Sequence, residues 1–329
     1  MIIAFICIVL IFNTMETISI HRPKIVVIGS CNTDMVVKAN RLPVPGETIL
    51  GGTFYMNPGG KGANQAIAAA RLGAEVTFIS KIGYDLFGLQ ALEIYRSEKI
   101  NTEYIFTDQK SPSGVALISV DSFGENSIIV APGASRSLSI EDINKAEEKI
   151  KEADIILMQL EIPIDTVEYA ATIACKYGKK VILNPAPASS LSNSFLMNVH
   201  TILPNRIEAE MLSGIKVMNI ESAHRAAQAI GEKGIENVVI TLGKDGAYVK
   251  EKDEYTMIPA KEVETIDTTG AGDAFIGSLL YQLAEDGVTT DSIVDLTEDK
   301  LEEYLKKSNG YCAKSVLENG AIASYPTSL

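Results

Sequence analysis

The chain has 329 residues, 46% hydrophobic and 22% charged, a globular composition large enough to bury one substantial core. Its 42 acidic against 29 basic residues give a formal net charge of −13. That excludes a broad nucleic-acid or membrane surface and leaves room for a local pocket that attracts a small anion. Cys7, Cys31, Cys175 and Cys312 are far apart, with neither zinc spacing nor a disulfide framework, so a reduced compartment fits.

Residues 1–22 are read as an apolar extension outside the fold. Ile2 to Phe12 is almost continuously hydrophobic, yet it falls short of the roughly 20 residues that span a bilayer, and no Lys or Arg precedes it. Met15 offers an alternative start, and a secretory signal is the competing reading. From residue 23 to 329 one domain is expected. β-Branched runs at Ile25–Ile28, Val76–Ile79, Ile155–Met158, Val181–Leu183, Thr201–Leu203 and Val238–Ile240 alternate with helical patterns at Ala63–Leu72, Ile140–Lys151, Thr166–Tyr177 and Ser222–Glu232. This predicts an α/β fold, a doubly wound and mostly parallel sheet covered by helices on both faces. Strand patterns without intervening helices, at Thr48–Tyr55 and in the pair Gly114–Val120 and Asn126–Val130 around the turn Asp121–Glu125, predict a small antiparallel sheet. Such inserted strands, near 31–56 and 105–135, can form a lid, a dimerisation edge or both. The acidic stretch Glu285 to Glu303 is expected to be a solvated connection between two C-terminal helices.

The chemistry-bearing segments follow the same order. Gly29-Ser30-Cys31-Asn32-Thr33-Asp34 leaves the first strand at the edge where open α/β sheets bind ligands, and Asn32 and Asp34 suit a polyhydroxyl molecule or a plain Asx turn. Asn57-Pro58-Gly59-Gly60-Lys61-Gly62-Ala63-Asn64 enters a small-residue helix with Lys61 and Asn64 on neighbouring positions; the Walker spacing is absent. Glu161 follows the Ile155–Met158 strand and can accept from a sugar hydroxyl or cap the next helix. Asn205 and Glu208 begin a strand-to-helix junction suited to metal-bound water near phosphates or to ordinary helix capping. Thr241, Gly243 and Gly246 form a turn able to run beneath a nucleotide. Asp267-Thr268-Thr269-Gly270-Ala271-Gly272-Asp273 opens straight into an apolar helix. Bare amides and a helix dipole there favour phosphate, and Asp273 is placed to take a proton from a hydroxyl. Taken alone, that box also reads as a helix cap. No Gly-x-Gly-x-x-Gly fingerprint is present, which argues against a dinucleotide oxidoreductase.

Together, Gly-Ser-x-Asn-x-Asp, Gly-Gly-Lys-Gly-Ala-Asn-Gln-Ala, Met-Gln-Leu-Glu, Asn-Pro-Ala-Pro-Ala, Pro-Asn-x-x-Glu, Thr-Leu-Gly and Asp-Thr-Thr-Gly-Ala-Gly-Asp resemble, in order, the PfkB carbohydrate kinases. The Gly-Ser-x-Asn-x-Asp and Met-Gln-Leu-Glu segments resemble the ribokinase branch. The resemblance runs from about Lys24 to the chain end. It implies ATP-dependent phosphorylation of D-ribose at O5, with Asn32, Asp34, Gly60, Lys61, Asn64 and Glu161 on the sugar and Asp273 as base. Gly270, Ala271 and Gly272 would form the anion hole. ATP would lie along Asn205, Glu208, Thr241, Gly243, Gly246 and Asn309, carrying Mg2+. A K+ site is implied at Asp267, Thr269, Ser315, Glu318, Gly320 and Ser324, as are a homodimer joined through the lid strands and a cytoplasmic, or also nuclear, location. Other sugar or nucleoside kinases of the family, such as adenosine kinase and fructokinase, and a non-catalytic sugar-binding protein are the rival readings. Arg206 in the Asn-x-x-Glu box, and Pro132 and Ser135 beside the lid, depart from the family's usual residues.

Overall fold

The computed structural model describes residues 22–179, 181–251, 254–285 and 298–329. The N-terminal extension, with Cys7 and Met15, and most of the acidic connection lie outside them. β1 (Lys24–Ile28) alternates its side chains, so Ile25 and Val27 join the core on one face of the main sheet while Val26 and Ile28 join the other. The remaining strands are β2 (Asn32–Lys38), β3 (Thr53–Gly59), β4 (Glu75–Gly83), β5 (Ile105–Asp108), β6 (Gly114–Val120) and β7 (Asn126–Ala131). They continue with β8 (Ile155–Met158), β9 (Val181–Leu183), β10 (Val199–Ile202), β11 (Asn237–Thr241), β12 (Ala247–Glu251) and β13 (Glu254–Ile258).

Among the described residues, nine strands form one sheet in the order β13-β12-β11-β10-β9-β8-β1-β4-β5. It is parallel from β11 through β5, and β12 and β13 add an antiparallel edge. β8 and β9 are buried at every residue, the pattern of strands covered on both faces, which is why short uniformly apolar runs mark them. The helices Lys61–Leu72 and Ala271–Glu285 cover one face, and Ile164–Lys176 and Ile220–Gly231 the other.

Four strands form the smaller sheet, β3-β2-β6-β7. β2–β3 and β6–β7 are antiparallel pairs, joined by parallel pairing of β2 with β6.

Several boundaries differ from the sequence expectations. β5 belongs to the main sheet, pairing Ile105 with Ser80, and not to the lid. The run expected as a strand from Thr48 pairs only from Thr53, because Gly51 and Gly52 adopt φ of 107° and 102°, outside strand geometry. Ile140–Lys151 is broken into Ile140–Lys145 and Glu147–Glu152, with Ala146 between them at φ −98°, ψ 5°. The break lets Ile143, Ala146 and Ile150 all reach the core.

Candidate active site

Four strand ends meet at the site. β1 leads through Gly29 and Ser30 to Asn32 and Asp34 at the root of the lid, β8 leads to Glu161, β9 to Asn184, and β10 to Asn205 and Glu208. The Lys61–Leu72 helix enters from β3 through Gly60, whose φ is 91°; a Cβ there would lie 2.8 Å from the Cys31 Cα. Only glycine permits that approach and that conformation. Asx-turn and capping alternatives fail for three residues: Asn32 and Asp34 lie in β2, and the Ile164–Lys176 helix has no side-chain cap from Glu161. Glu161 instead accepts from the Ser30 hydroxyl and, at 3.0 Å, from the Lys61 amide.

Asp273 lies in the first turn of the Ala271–Glu285 helix, buried, with Asn64 Nδ2 donating to one oxygen at 2.9 Å and Gln65 Nε2 to the other at 2.8 Å. The reach depends on close helix packing. A Cβ on Gly277 would stand 2.5 Å from the Ala68 Cβ, so two small residues, each four positions beyond Asp273 and Asn64, let the backbones approach.

The site concentrates charge. Burial works against the Lys61 ammonium, but Asp273, Glu161, Glu208 and Asp34 outweigh it and hold its pKa above the ordinary lysine value. Burial, then repulsion from Glu161 and Asp273, lifts Asp34 to about 6 despite Lys61. Burial also raises Asp273, opposed by Lys61 and by the Asn64 and Gln65 hydrogen bonds.

Around the Gly-Ala-Gly turn, Gly270 has a φ of 73° and a Cβ there would collide with Ala321 and the Tyr325 hydroxyl at 2.5 Å. Tyr325 donates to the Gly270 carbonyl at 2.9 Å, and Arg71 holds the same C-terminal segment through the carbonyls of Ile322 and Tyr325 at 2.6 and 2.8 Å. Gly272 is different: a Cβ there would meet nothing within 4 Å, which leaves an open cradle beside the helix start. The Ala271 amide already donates to the Thr268 carbonyl at 3.2 Å, so as an anion-hole donor it would have to give up that turn bond.

Asn205 and Glu208 form a reciprocal capping box at the Arg206–Ser213 helix, both Glu208 oxygens accepting from Asn205 at 2.8 Å. Burial nonetheless raises the Glu208 pKa, against the Asn205 bonds and Lys61. Thr241 bridges to Asn205, and the Gly243–Gly246 turn sits against Pro259, whose carbonyl accepts from Asn309 at 3.0 Å. Arg206 reaches the same turn, donating to Asp245 at 2.6 Å and the Leu242 carbonyl at 3.2 Å, so part of its charge is neutralised there. Ser135, the other departure, is fully buried and exchanges hydrogen bonds of 3.3 and 3.4 Å with the Cys31 backbone at the lid root.

Of the expected cation ligands, Asp267, Thr269 and Gly320 converge. Asp267 accepts from the Thr269 amide and hydroxyl at 2.9 and 2.7 Å and from the Gly320 amide at 2.9 Å, donors that carry its pKa below the usual value in spite of burial. Ser315 and Ser324 turn their hydroxyls to their own helix carbonyls, and Glu318 is exposed.

The sequence of the pfkB family carbohydrate kinases matches residues 22–328. The chain belongs to that family. A ribokinase of Haemophilus influenzae is 42% identical over 306 residues, 93% of this chain and 96% of that protein. A deoxyribokinase of Salmonella typhi is 37% identical over 304 residues, 92% and 95% of the two chains. The structure of Arabidopsis thaliana ribokinase complexed with ribose and ATP is similar at a TM-score of 0.80 and 29% identity, covering 93% of this chain and 96% of that one.

For a carbohydrate kinase, three site residues were not singled out from sequence. Gln65, Gln159 and Asn184 all lie inside the recognised boxes, but a motif shows which residues occur together and not which atoms touch. Ser30 is a fourth such partner, through Glu161.

Proposed function

We propose that the protein transfers the γ-phosphoryl group of ATP to the O5 hydroxyl of D-ribose, giving ribose 5-phosphate. The observation that carries this is Asp273, a buried carboxylate held at both oxygens by amides, one residue from the open cradle at Gly272 and within electrostatic reach of Lys61, Glu161 and Asp34. Asn32, Asp34, Gly60, Lys61, Asn64 and Glu161 hold the sugar. Asp273 accepts the O5 proton as attack on phosphorus proceeds, while amides at Gly270 and Gly272, joined by Ala271 on release from Thr268, receive the charge that develops on the transferred group. Asn205, Glu208, Thr241, Gly243, Gly246 and Asn309 border the nucleotide.

Glu208 would face the water shell of a Mg2+ bound with the triphosphate, and the metal would supply charge neutralisation there. The Asp267 carboxylate, with the Thr269 hydroxyl beside it, would be the charged ligand for K+, which would supply electrostatic support behind the anion hole. Replacing K+ by the larger tetramethylammonium ion is expected to lower turnover.

One face of the small sheet supports a homodimer through the lid. Strand register puts Val37, Phe54, Met56, Leu117 and Ile129 together there, and all are exposed in the single chain. Among the described residues no helix is long and apolar enough to cross a membrane, and a cytoplasmic location suits an ATP-consuming enzyme.

The decisive experiment is an acceptor panel with ATP, reading ADP release with ribose, 2-deoxyribose, fructose and adenosine. Ribose is expected to give the highest kcat/KM. The second reading is 2-deoxyribose, favoured by the deoxyribokinase relative. Asp273→Asn keeps the side chain's shape but removes the base, and turnover is expected to fall by about a hundredfold or more. Wild-type turnover in that variant excludes Asp273 as the base.

A further inference from the structure

Behind Asp273 lies a chain of amides that touches neither the sugar-facing side chains nor the nucleotide turn. Gln65 Nε2 donates to Asp273 at 2.8 Å and to Asn184 Oδ1 at 3.0 Å; Asn184 Nδ2 donates to the Leu203 carbonyl at 3.0 Å; Gln159 Nε2 donates to Gln65 Oε1 at 2.6 Å. Gln65 and Gln159 have no solvent exposure at all, and Asn184 has 7%.

The direction of every bond is set from one end. A carboxylate only accepts, so Gln65 must turn its NH2 toward Asp273 and Asn184, and its oxygen then faces Gln159, which must present its own NH2. The arrangement leaves Gln159 Oε1 buried without a partner, hard against Gly29, where a Cβ would collide with it. An orphaned buried acceptor costs stability, about 1–3 kcal/mol in general. A stretch of packing serving stability alone would replace this pair with apolar side chains of the same volume.

We propose that Gln65, braced by Gln159 and Asn184, is a positioning residue that fixes the Asp273 carboxylate in the orientation from which it accepts the sugar proton. Gln65 donates to Oδ1 and Asn64, on the sugar side, to Oδ2, so the carboxylate plane is clamped between consecutive residues of one helix while each oxygen keeps a lone pair for a proton. The clamp also opposes burial by favouring the ionised carboxylate. The charged and titratable groups facing Asp273 are Lys61 from its own partner helix, Asp34 from β2, Glu161 after β8, Glu208 beyond β10 and Tyr325 near the chain end. None of these is altered by changing Gln65.

This inference rests on the kinase reading, and the experiment separates the two. Gln65→Met keeps length and volume without the amide. Its kcat for ribose phosphorylation, measured on the acidic side of the wild-type limb, is expected to fall about tenfold, with KM for ribose within about twofold, and to recover as pH rises because the acidic limb of the kcat profile moves up by about one unit. Gln159→Met is expected to shift the limb the same way by less, and the double variant no further than Gln65→Met alone. A folded Gln65→Met protein with an unmoved acidic limb overturns the proposal, as does a pH-independent loss shared between kcat and KM. If Gln65→Met does not fold, Gln159→Met decides by the same limb. Should the wild type phosphorylate no acceptor, the kinase reading fails, and the carboxyl 13C titration of Asp273, assigned by its loss in Asp273→Asn, still tests the clamp. It is expected to move upward in either Met variant, and an unchanged titration overturns the clamp.

Discussion

In the proposed sugar site Asp34 would answer two opposed demands, since a sugar hydroxyl would favour its carboxylate charged while burial beside Glu161 and Asp273 penalises that charge and lifts its pKa to about 6. The sign for stability follows directly. The unfolded chain releases this proton near the ordinary Asp value, about 4, and the folded chain holds it until about 6, so stability falls as pH rises through that window and the penalty is complete above it. Asp34→Asn is therefore expected to stabilise the fold at pH 7 by about 1–2 kcal/mol, an advantage that disappears below about pH 4. Its KM for ribose is expected to rise at least tenfold. Unfolding midpoints at the two pH values, with ribose kinetics at pH 7, check both halves. Single residues of this kind were readable as candidates from spacing and family resemblance. Their ionisation was not, because Asp34 and Asp273 are 239 positions apart in the sequence and interact only across the folded site.

At the scale of elements, the site depends on how closely the Lys61–Leu72 and Ala271–Glu285 helices approach. Gly277 faces Ala68 and the Gln65 carbonyl, where a Cβ would come within 2.7 Å of the backbone oxygen, so neither neighbour can yield by moving a flexible tip. Gly277→Leu is expected to force the helices apart, costing about 1–3 kcal/mol, and to draw Asn64 and Gln65 away from Asp273. Thermal unfolding and kcat should fall together, in contrast to the pH-dependent loss expected of Gln65→Met. Strands such as β8 were legible because a sheet covered on both faces demands uninterrupted apolar runs. β2 was less so, since Asn32 and Asp34 look like turn residues until pairing with β3 and β6 supplies their backbone partners. The break at Ala146 was illegible for a similar reason: alanine is a strong helix former, and only the shape of the core below it required the interruption.

The whole molecule carries its exposed apolar surface unevenly. Val37, Phe54, Met56, Leu117 and Ile129 share one face of the lid, and a monomer gains nothing from wetting them together. Leu117→Glu with Ile129→Glu is expected to convert a dimer to monomers in sedimentation equilibrium while leaving the main sheet's far-UV signature intact, and ribose KM should rise because the lid loses its support. A wild-type chain that sediments as a monomer at micromolar concentration removes the dimer proposal.

The order of boxes along the chain determined the family, the alternation of strand and helix, and the identity of Asp273, because local pattern and residue type are properties a linear string carries. Only the tertiary structure decided which amide faces which carboxylate oxygen, that β5 joins the main sheet, and that Gln65, Gln159 and Asn184 stand behind Asp273. The amide contacts join segments about a hundred residues or more apart, and β5 reaches the sheet through a connection that leaves and returns between Ser80 and Ile105; all are made at hydrogen-bond range and in low dielectric, where an ångström of displacement changes the energy and no local pattern records the distance.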